Sequence, residues 1–176
     1  MGSLNLIPPD IRYRDSYVAA LREGLHLDPA KEEDILLAEN DFAAYLKQRN
    51  DLSRLVVLPN GEQIRKLPQT DLWLVDGENF LGMTSLRPQL NEHLSRRGGN
   101  IGYAVRKSER RKGYGALILK LALPQASALG LKKVLITCHD KNLGSIKIIE
   151  GAGGVLQDKI TIDGLPIPER RYWIRL

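Results

Sequence analysis

Apolar residues recur along the chain with two different periods, and the change of period divides it. Leu4 to Ile7 is a short apolar run of strand character, and Pro8-Pro9-Asp10 is punctuation that suits a helix start. From Ile11 to Leu25 the apolar side chains Tyr17, Val18, Leu21 and Leu25 return at helical spacing, with Gly24 marking the end. Asp28-Pro29 reads as a turn. A second helical pattern runs from Ile35 to Arg49, with Leu36, Phe42, Ala43, Tyr45 and Leu46 on its apolar positions. Arg54 to Pro68 is irregular and contains a turn at Pro59-Asn60-Gly61.

Beyond this point strands dominate. Leu72 to Val75 and Phe80 to Thr84 flank Asp76-Gly77-Glu78-Asn79, which predicts a hairpin with a loop longer than two residues. Arg87 to Gly99 is a polar connection, and Ile101 to Val105 is the next strand. A helix is predicted from Gly113 to about Leu129, kinked or broken at Pro124 because a helix-interior proline removes a hydrogen bond. The run Leu131 to Cys138 is continuous enough in apolar residues for a strand buried on both faces. A short helix over Asn142 to Glu150 ends at Gly151-Ala152-Gly153-Gly154. Val155 to Ile162 and Glu169 to Leu176 close the chain as a hairpin. No repeat or linker interrupts this order, so residues 1–176 read as one α/β or α+β domain with a mainly antiparallel sheet.

Composition narrows the class. A chain of 176 residues with 43% hydrophobic and 27% charged side chains is an ordinary globular domain with a core of its own. The net charge of +5 admits nucleic acid as a partner, but the acidic residues are spread throughout, and a local anion site explains a basic patch equally well. Cys138 is the single cysteine, which rules out an intrachain disulfide and agrees with a reducing, cytoplasmic setting. No apolar run is long enough to span a bilayer, and no signal peptide is evident. Met1-Gly2 opens like a myristoylation signal, but Leu6 stands where that pattern wants Ser or Thr.

The candidate chemistry concentrates in Arg110-Arg111-Lys112-Gly113-Tyr114-Gly115, between a strand and a helix. Glycines without a Cβ let anionic oxygens reach backbone amides, and a helix N-terminus adds partial positive charge. Arg106 and Lys107 extend the basic run. A solvated basic turn is the plain alternative. No Lys-Ser/Thr pair follows the second glycine, which excludes a Walker-type loop, and Ala116-Leu117-Ile118 after Gly115 excludes the dinucleotide pattern.

Two stretches in order, Ile101-Gly102-Tyr103-Ala104-Val105 leading to Arg110-Arg111-Lys112-Gly113-Tyr114-Gly115, and Val134 to Cys138 leading to Asn142, Ser145 and Gly151-Ala152-Gly153-Gly154, resemble the GNAT superfamily of N-acetyltransferases. The resemblance covers roughly Leu72 to Gly154. It implies a mixed, mainly antiparallel sheet of six to seven strands flanked by helices, with the cofactor in a cleft between two splayed parallel strands. The co-substrate it implies is acetyl-CoA. The diphosphate would lie on Arg110, Arg111, Lys112, Gly113, Tyr114, Gly115 and Ala116, the pantetheine arm along Tyr103, Ala104 and Val105, with Asn142 and Ser145 beyond. The implied reaction is attack of a primary amine of a small molecule or peptide on the thioester. The sequence departs from the family at Ile149, where many relatives carry a tyrosine that protonates the leaving thiolate.

Glu92 and His93 are the candidates for a general base, and both fit equally well as loop residues. Tyr172 and Tyr103 are the candidate acids. Arg87 and Asn91 could line the acceptor pocket. His139-Asp140 closes a strand, with Asp140 opening the next turn, and His26 beside a helix end reads as structural or solvent-facing. Cys138 reads as a packed thiol, and Trp73 and Trp173 as core. No Cys/His spacing fits a metal. Two other functions compete: an acyl-CoA-binding sensor or scaffold without transfer, and a nucleic-acid-binding module, which lacks interleaved aromatics and a recognition helix. Relatives are often homodimers, so a homodimer is a further expectation.

Overall fold

In the computed structural model residues 4–25, 31–58 and 60–176 are described, so the expectations on Met1-Gly2, His26, Asp28-Pro29 and Pro59 fall outside the described residues. The elements in chain order are β1 (Asn5–Ile7), a 3-10 turn (Ile11–Tyr13), α1 (Arg14–Arg22), α2 (Glu32–Asn40), α3 (Phe42–Asn50), β2 (Leu55–Val57), β3 (Gln63–Arg65), β4 (Thr70–Asp76) and β5 (Asn79–Leu86). There follow α4 (Glu92–Arg96), β6 (Ile101–Val105), a 3-10 turn (Lys107–Glu109), α5 (Tyr114–Ala128), β7 (Lys133–His139), α6 (Leu143–Gly151), β8 (Val155–Ile160) and β9 (Glu169–Arg175). The strands are ordered β1-β4-β5-β6 in one sheet, β7-β9-β8 in a second and β2-β3 in a third. The pairings β1–β4, β2–β3, β7–β9 and β8–β9 are antiparallel. No helix among the described residues is long and apolar enough to cross a membrane.

Two compact units emerge, and neither is contiguous in sequence. One comprises 1–51, 71–84 and 103–118, the other 52–70, 85–102 and 119–176.

The first unit is built on an aromatic core. Tyr17 from α1 stacks on Trp73 of β4 with ring centroids 4.4 Å apart, and Phe80 of β5 meets both rings edge-on. Phe42 and Tyr45 of α3 complete the cluster. The Tyr17 and Tyr45 hydroxyls are 3.0 Å apart, and burial pushes the Tyr17 hydroxyl well above its ordinary pKa. Arg49 reaches Asp71, whose carboxylate is 4% exposed. The single helix predicted over Ile35 to Arg49 is two helices. Asp41 takes an extended backbone, φ −145° and ψ 88°, and its side chain accepts the Ala44 N–H at 2.9 Å. A short polar side chain competes with the helix for those donors, and here it starts a new one. At Gly82 on β5, any Cβ would lie 2.6 Å from the Ala104 carbonyl and 2.8 Å from Ile118 Cδ1, so only glycine permits this approach to β6 and α5.

In the second unit, β7 and β9 pair from Lys133↔Arg175 to His139↔Glu169. Buried Asn100 acts as a clasp: its Oδ1 accepts the Leu135 N–H and its Nδ2 donates to the Arg87 carbonyl. The β2–β3 hairpin was not legible in the apolar pattern, because its strands are three residues long and Leu55 and Val57 face solvent. The β4–β5 loop is Gly77-Glu78 alone, shorter than predicted, since both strands extend further toward it. Helix α5 runs through Pro124 without a break. Pro124 and Lys120, four residues before it, are both exposed, so the carbonyl freed there faces water.

Candidate functional site

The basic turn of the first unit leaves the end of β6 and enters α5. Arg106 anchors its start. The Arg106 backbone N–H donates to the Leu81 carbonyl at 2.9 Å, and its guanidinium bonds Glu23 Oε1 at 2.8 Å and Ser16 Oγ at 3.1 Å. Glu23 also accepts the Ser108 N–H at 3.0 Å. The Arg106 guanidinium, followed by the Ser108 bonds, holds the Glu23 carboxyl down at about 2. The positive charge of Arg106 is therefore already matched, contrary to its reading as part of a free basic run.

Past this anchor the backbone bends twice through left-handed conformations. Arg111 has φ +65° and Gly113 has φ +86°. A non-glycine residue there costs about 1–2 kcal/mol, so Arg111 holds an unfavourable backbone. Alternation of this kind turns successive amides toward one side, the arrangement that binds anions. The first hydrogen bond entering α5 is Leu117 N–H to the Gly113 carbonyl at 3.1 Å, so Tyr114, Gly115 and Ala116 precede it and their amides have no partner one helical turn back. A Cβ on Gly113 would meet nothing within 4 Å, so its glycine is required by backbone angle and not by space.

Charge in the turn is unevenly available. Lys112 pairs with Glu109 at 2.9 Å, and Arg110 Nε donates to the Val105 carbonyl at 3.3 Å. Among the described residues Lys107, Arg110 and Arg111 form no ion pair, and all three are exposed. Tyr103, Ala104 and Val105 lie on β6, the last strand of its sheet.

In the second unit, the exposed Asn142 caps α6: its Oδ1 accepts the Ser145 N–H at 3.1 Å. Asn142 and Ser145 are thus brought together through the Ser145 backbone. Ile149 is fully buried, and a Cβ on Gly154 would lie 2.5 Å from its methyl group, so this position is packing and carries no proton. Tyr172 is also fully buried. Its hydroxyl donates to Glu150 Oε1 at 3.0 Å and accepts from Arg170 Nη1 at 3.3 Å. Burial raises its pKa.

Asn91, Glu92 and His93 stand together at the start of α4. Asn91 Oδ1 caps the helix by accepting the Leu94 N–H at 2.8 Å, while Glu92 is exposed and His93 partly buried. The Arg87 guanidinium donates to Gln69 Oε1 at 3.1 Å and to the Gly99 carbonyl at 3.4 Å. Both Arg87 and Asn91 therefore have structural work of their own.

Sequence reasoning missed three participants. Glu23 and Ser16 lie more than eighty residues from Arg106, so no local spacing announces them. Glu169, 2% exposed, lies beside His139: His139 Nδ1 is 2.9 Å from Glu169 Oε1. Only the β7–β9 register aligns those two. No group of three or more His, Cys, Asp or Glu side chains among the described residues could hold a metal ion.

Residues 25–155 match the family model described as an acetyltransferase (GNAT) domain. Among solved structures the chain resembles mutant forms of the spermidine/spermine N-acetyltransferase SpeG from Vibrio cholerae, at 17% identity and TM-score 0.61, covering 98% of this chain and 95% of that one. It also resembles RimL, the ribosomal L7/L12 alpha-N-protein acetyltransferase in complex with coenzyme A, at 11% identity and TM-score 0.63, covering 100% and 96%. A third is the microcin C7 self-immunity acetyltransferase MccE in complex with acetyl-CoA and AMP, at 15% identity and TM-score 0.61, covering 98% and 92%. Identities this low establish a shared fold. No curated protein sequence gives a significant match.

Proposed function

Because the chain belongs to the GNAT acetyltransferase domain family, we propose that it transfers an acetyl group from acetyl-CoA to a primary amine of a small molecule or peptide. The observation that carries this reading is the doubly bent turn, with positive φ at Arg111 and Gly113, opening directly onto the first amides of α5. Such a turn fits a diphosphate. Gly113, Tyr114, Gly115 and Ala116 supply backbone donors, and Arg110, Arg111 and Lys112 supply charge. The pantetheine arm would run along the edge strand β6 at Tyr103, Ala104 and Val105, as a peptide adds to a sheet edge. Asn142, whose Oδ1 is committed to the Ser145 amide, keeps its amide nitrogen as a donor to that arm.

Acetyl-CoA supplies the activated acyl carbon. The chain's tasks are to deliver a neutral amine, to stabilise the oxyanion with a backbone amide near Val105, and to let the thiolate leave. On the acceptor side we place the segment from Arg87 to His93, where exposed Glu92 offers the negative charge that attracts a protonated amine. Asn91 and His93 flank it.

One observation favours a second reading, an acyl-CoA-binding sensor without transfer. Ile149 is apolar and buried, and the Tyr172 hydroxyl is engaged on both sides, so neither stands ready to protonate a thiolate.

Thermal unfolding with ligand tests the reading. Acetyl-CoA at 100 times its dissociation constant should stabilise the protein by about 2.7 kcal/mol, whereas short DNA or RNA should give no shift. A shift with nucleic acid alone would reject the acetyltransferase. Gly113→Val should abolish the acetyl-CoA shift, and its persistence would place the diphosphate elsewhere. Thiol release from acetyl-CoA against a panel of primary amines then separates transfer from sensing.

A further inference from the structure

We infer that His139, held from behind by Glu169, takes the proton from the acceptor amine. The inference rests on the acetyl-transfer reading and adds to it the identity of the base.

His139 is the last residue of β7 and stands opposite Glu169, the first residue of β9. Its Nδ1 is buried and lies 2.9 Å from Glu169 Oε1, in a close contact that is off the line of a ring N–H bond. The side chain as a whole is 40% exposed, so the opposite edge of the ring, with Nε2, is the part that reaches solution. Glu169 is 2% exposed. A carboxylate is expensive to bury without partners, and it has three. Besides His139, Arg97 Nε lies 3.6 Å away, and the Thr137 hydroxyl bonds it. Thr137 Oγ1 accepts the Gly98 N–H at 2.9 Å, which leaves the hydroxyl proton for Glu169. Burial raises the Glu169 pKa, and His139, Arg97 and Thr137 act against that rise. A histidine whose buried nitrogen faces a carboxylate is fixed in the tautomer that leaves the outer nitrogen as a proton acceptor.

The neighbouring charges are spoken for. Asp140 is paired with Lys159 at 3.0 Å and with Arg170, and Arg170 also donates to Tyr172. The thiol of Cys138 is pushed up to about 11, chiefly by burial and further by Glu169, so it stays protonated. Glu150 on α6 is bonded by Tyr172. His139 is also joined to the loop where the pantetheine arm is placed, since its carbonyl accepts the Asn142 N–H at 2.9 Å.

The step balances without another reagent. Nε2 of His139 takes one proton from the alkylammonium, which becomes a neutral amine. The amine nitrogen bonds to the acyl carbon, the C–S bond breaks, and the second amine proton passes to the thiolate. The imidazolium then releases its proton to water.

The test reads the ring directly and needs no known acceptor. In protein labelled with nitrogen-15, long-range proton–nitrogen spectra should show His139 (identified by its loss in His139→Gln) as the Nδ1–H tautomer, and saturating acetyl-CoA should move its signals. An Nε2–H tautomer, or ring signals unmoved while acetyl-CoA still raises the melting temperature, overturns the inference alone. No change in melting temperature overturns the transfer reading, and this inference with it. In thiol release with spermidine, or a short peptide with a free N-terminus, as probe amine, His139→Gln should lower kcat/KM by about 100-fold or more and leave acetyl-CoA affinity intact. Glu169→Gln should move the acidic limb of the pH–rate profile to lower pH, because the charge favouring the imidazolium is gone. Full activity in His139→Gln, or a Glu169→Gln profile that falls without moving, rejects the assignment.

Discussion

At Arg111 the chain accepts a backbone angle, φ +65°, that a glycine would adopt without penalty. Such an angle in a binding turn marks a place where the side chain is needed as well as the bend. Arg111→Gly should therefore separate two roles. Stability measured by urea unfolding should stay level or rise by up to about 1 kcal/mol, because relief of the left-handed strain is partly offset by glycine's larger unfolded-state entropy. Acetyl-CoA affinity measured by calorimetry should weaken by about tenfold, equivalent to about 1.4 kcal/mol, through loss of one charge-assisted contact. Gly113 is the converse case. Its φ of +86° penalises any other residue even though a Cβ would meet nothing within 4 Å. Glycines and basic residues in this turn were legible in the sequence, but the opposite status of the two bent positions was not. Nothing in the letters says which non-glycine residue will bend.

Among the elements, helix ends decided more than helix interiors. Asn142 heads α6 through the Ser145 amide, and removing such a cap costs about 1 kcal/mol. For a chain of this size that is a fall of about 2–4 °C in melting temperature for Asn142→Ala, with Asn142→Asp keeping most of the stability. Calorimetry checks both. If Asn142 also contacts the pantetheine arm, Asn142→Asp should still weaken acetyl-CoA binding. The same chemistry explains where pattern reading failed. The periodicity of Ile35 to Arg49 is genuine on both sides of Asp41, but a capping carboxylate inside it cuts the helix in two. Strands with one or both faces buried, such as β4, β5 and β7, were visible as apolar runs. The exposed β2–β3 hairpin had no core face to imprint on its sequence.

For the whole molecule, the Glu23–Arg106 bond ties the end of α1 to the anion-binding turn, and it makes stability depend on pH. The Glu23 carboxyl is held at about 2, below its ordinary value of 4.5. A depressed acid contributes stability that is full above 4.5 and is lost as pH falls toward 2. Glu169 has the opposite sign, since burial raises it and its ionisation with rising pH opposes folding. Thermal unfolding between those two pH values should therefore show a shallower acid loss in Glu23→Gln than in the wild type. At neutral pH the variant should be less stable and bind acetyl-CoA more weakly, because Arg106 and Ser108 lose their partner.

The sequence alone determined the order of strands and helices, the basic two-glycine turn before α5 and the position of Asn142 after β7. Each of these is written in spacings of a few residues, where backbone geometry acts directly. The tertiary structure decided which charges are free and which are spent. Arg106 answers to Glu23, Asn100 clasps Leu135, and His139 meets Glu169. These partners are 83, 35 and 30 residues apart in the chain. Only burial, which forces a polar group to find a partner wherever the fold delivers one, brings them together.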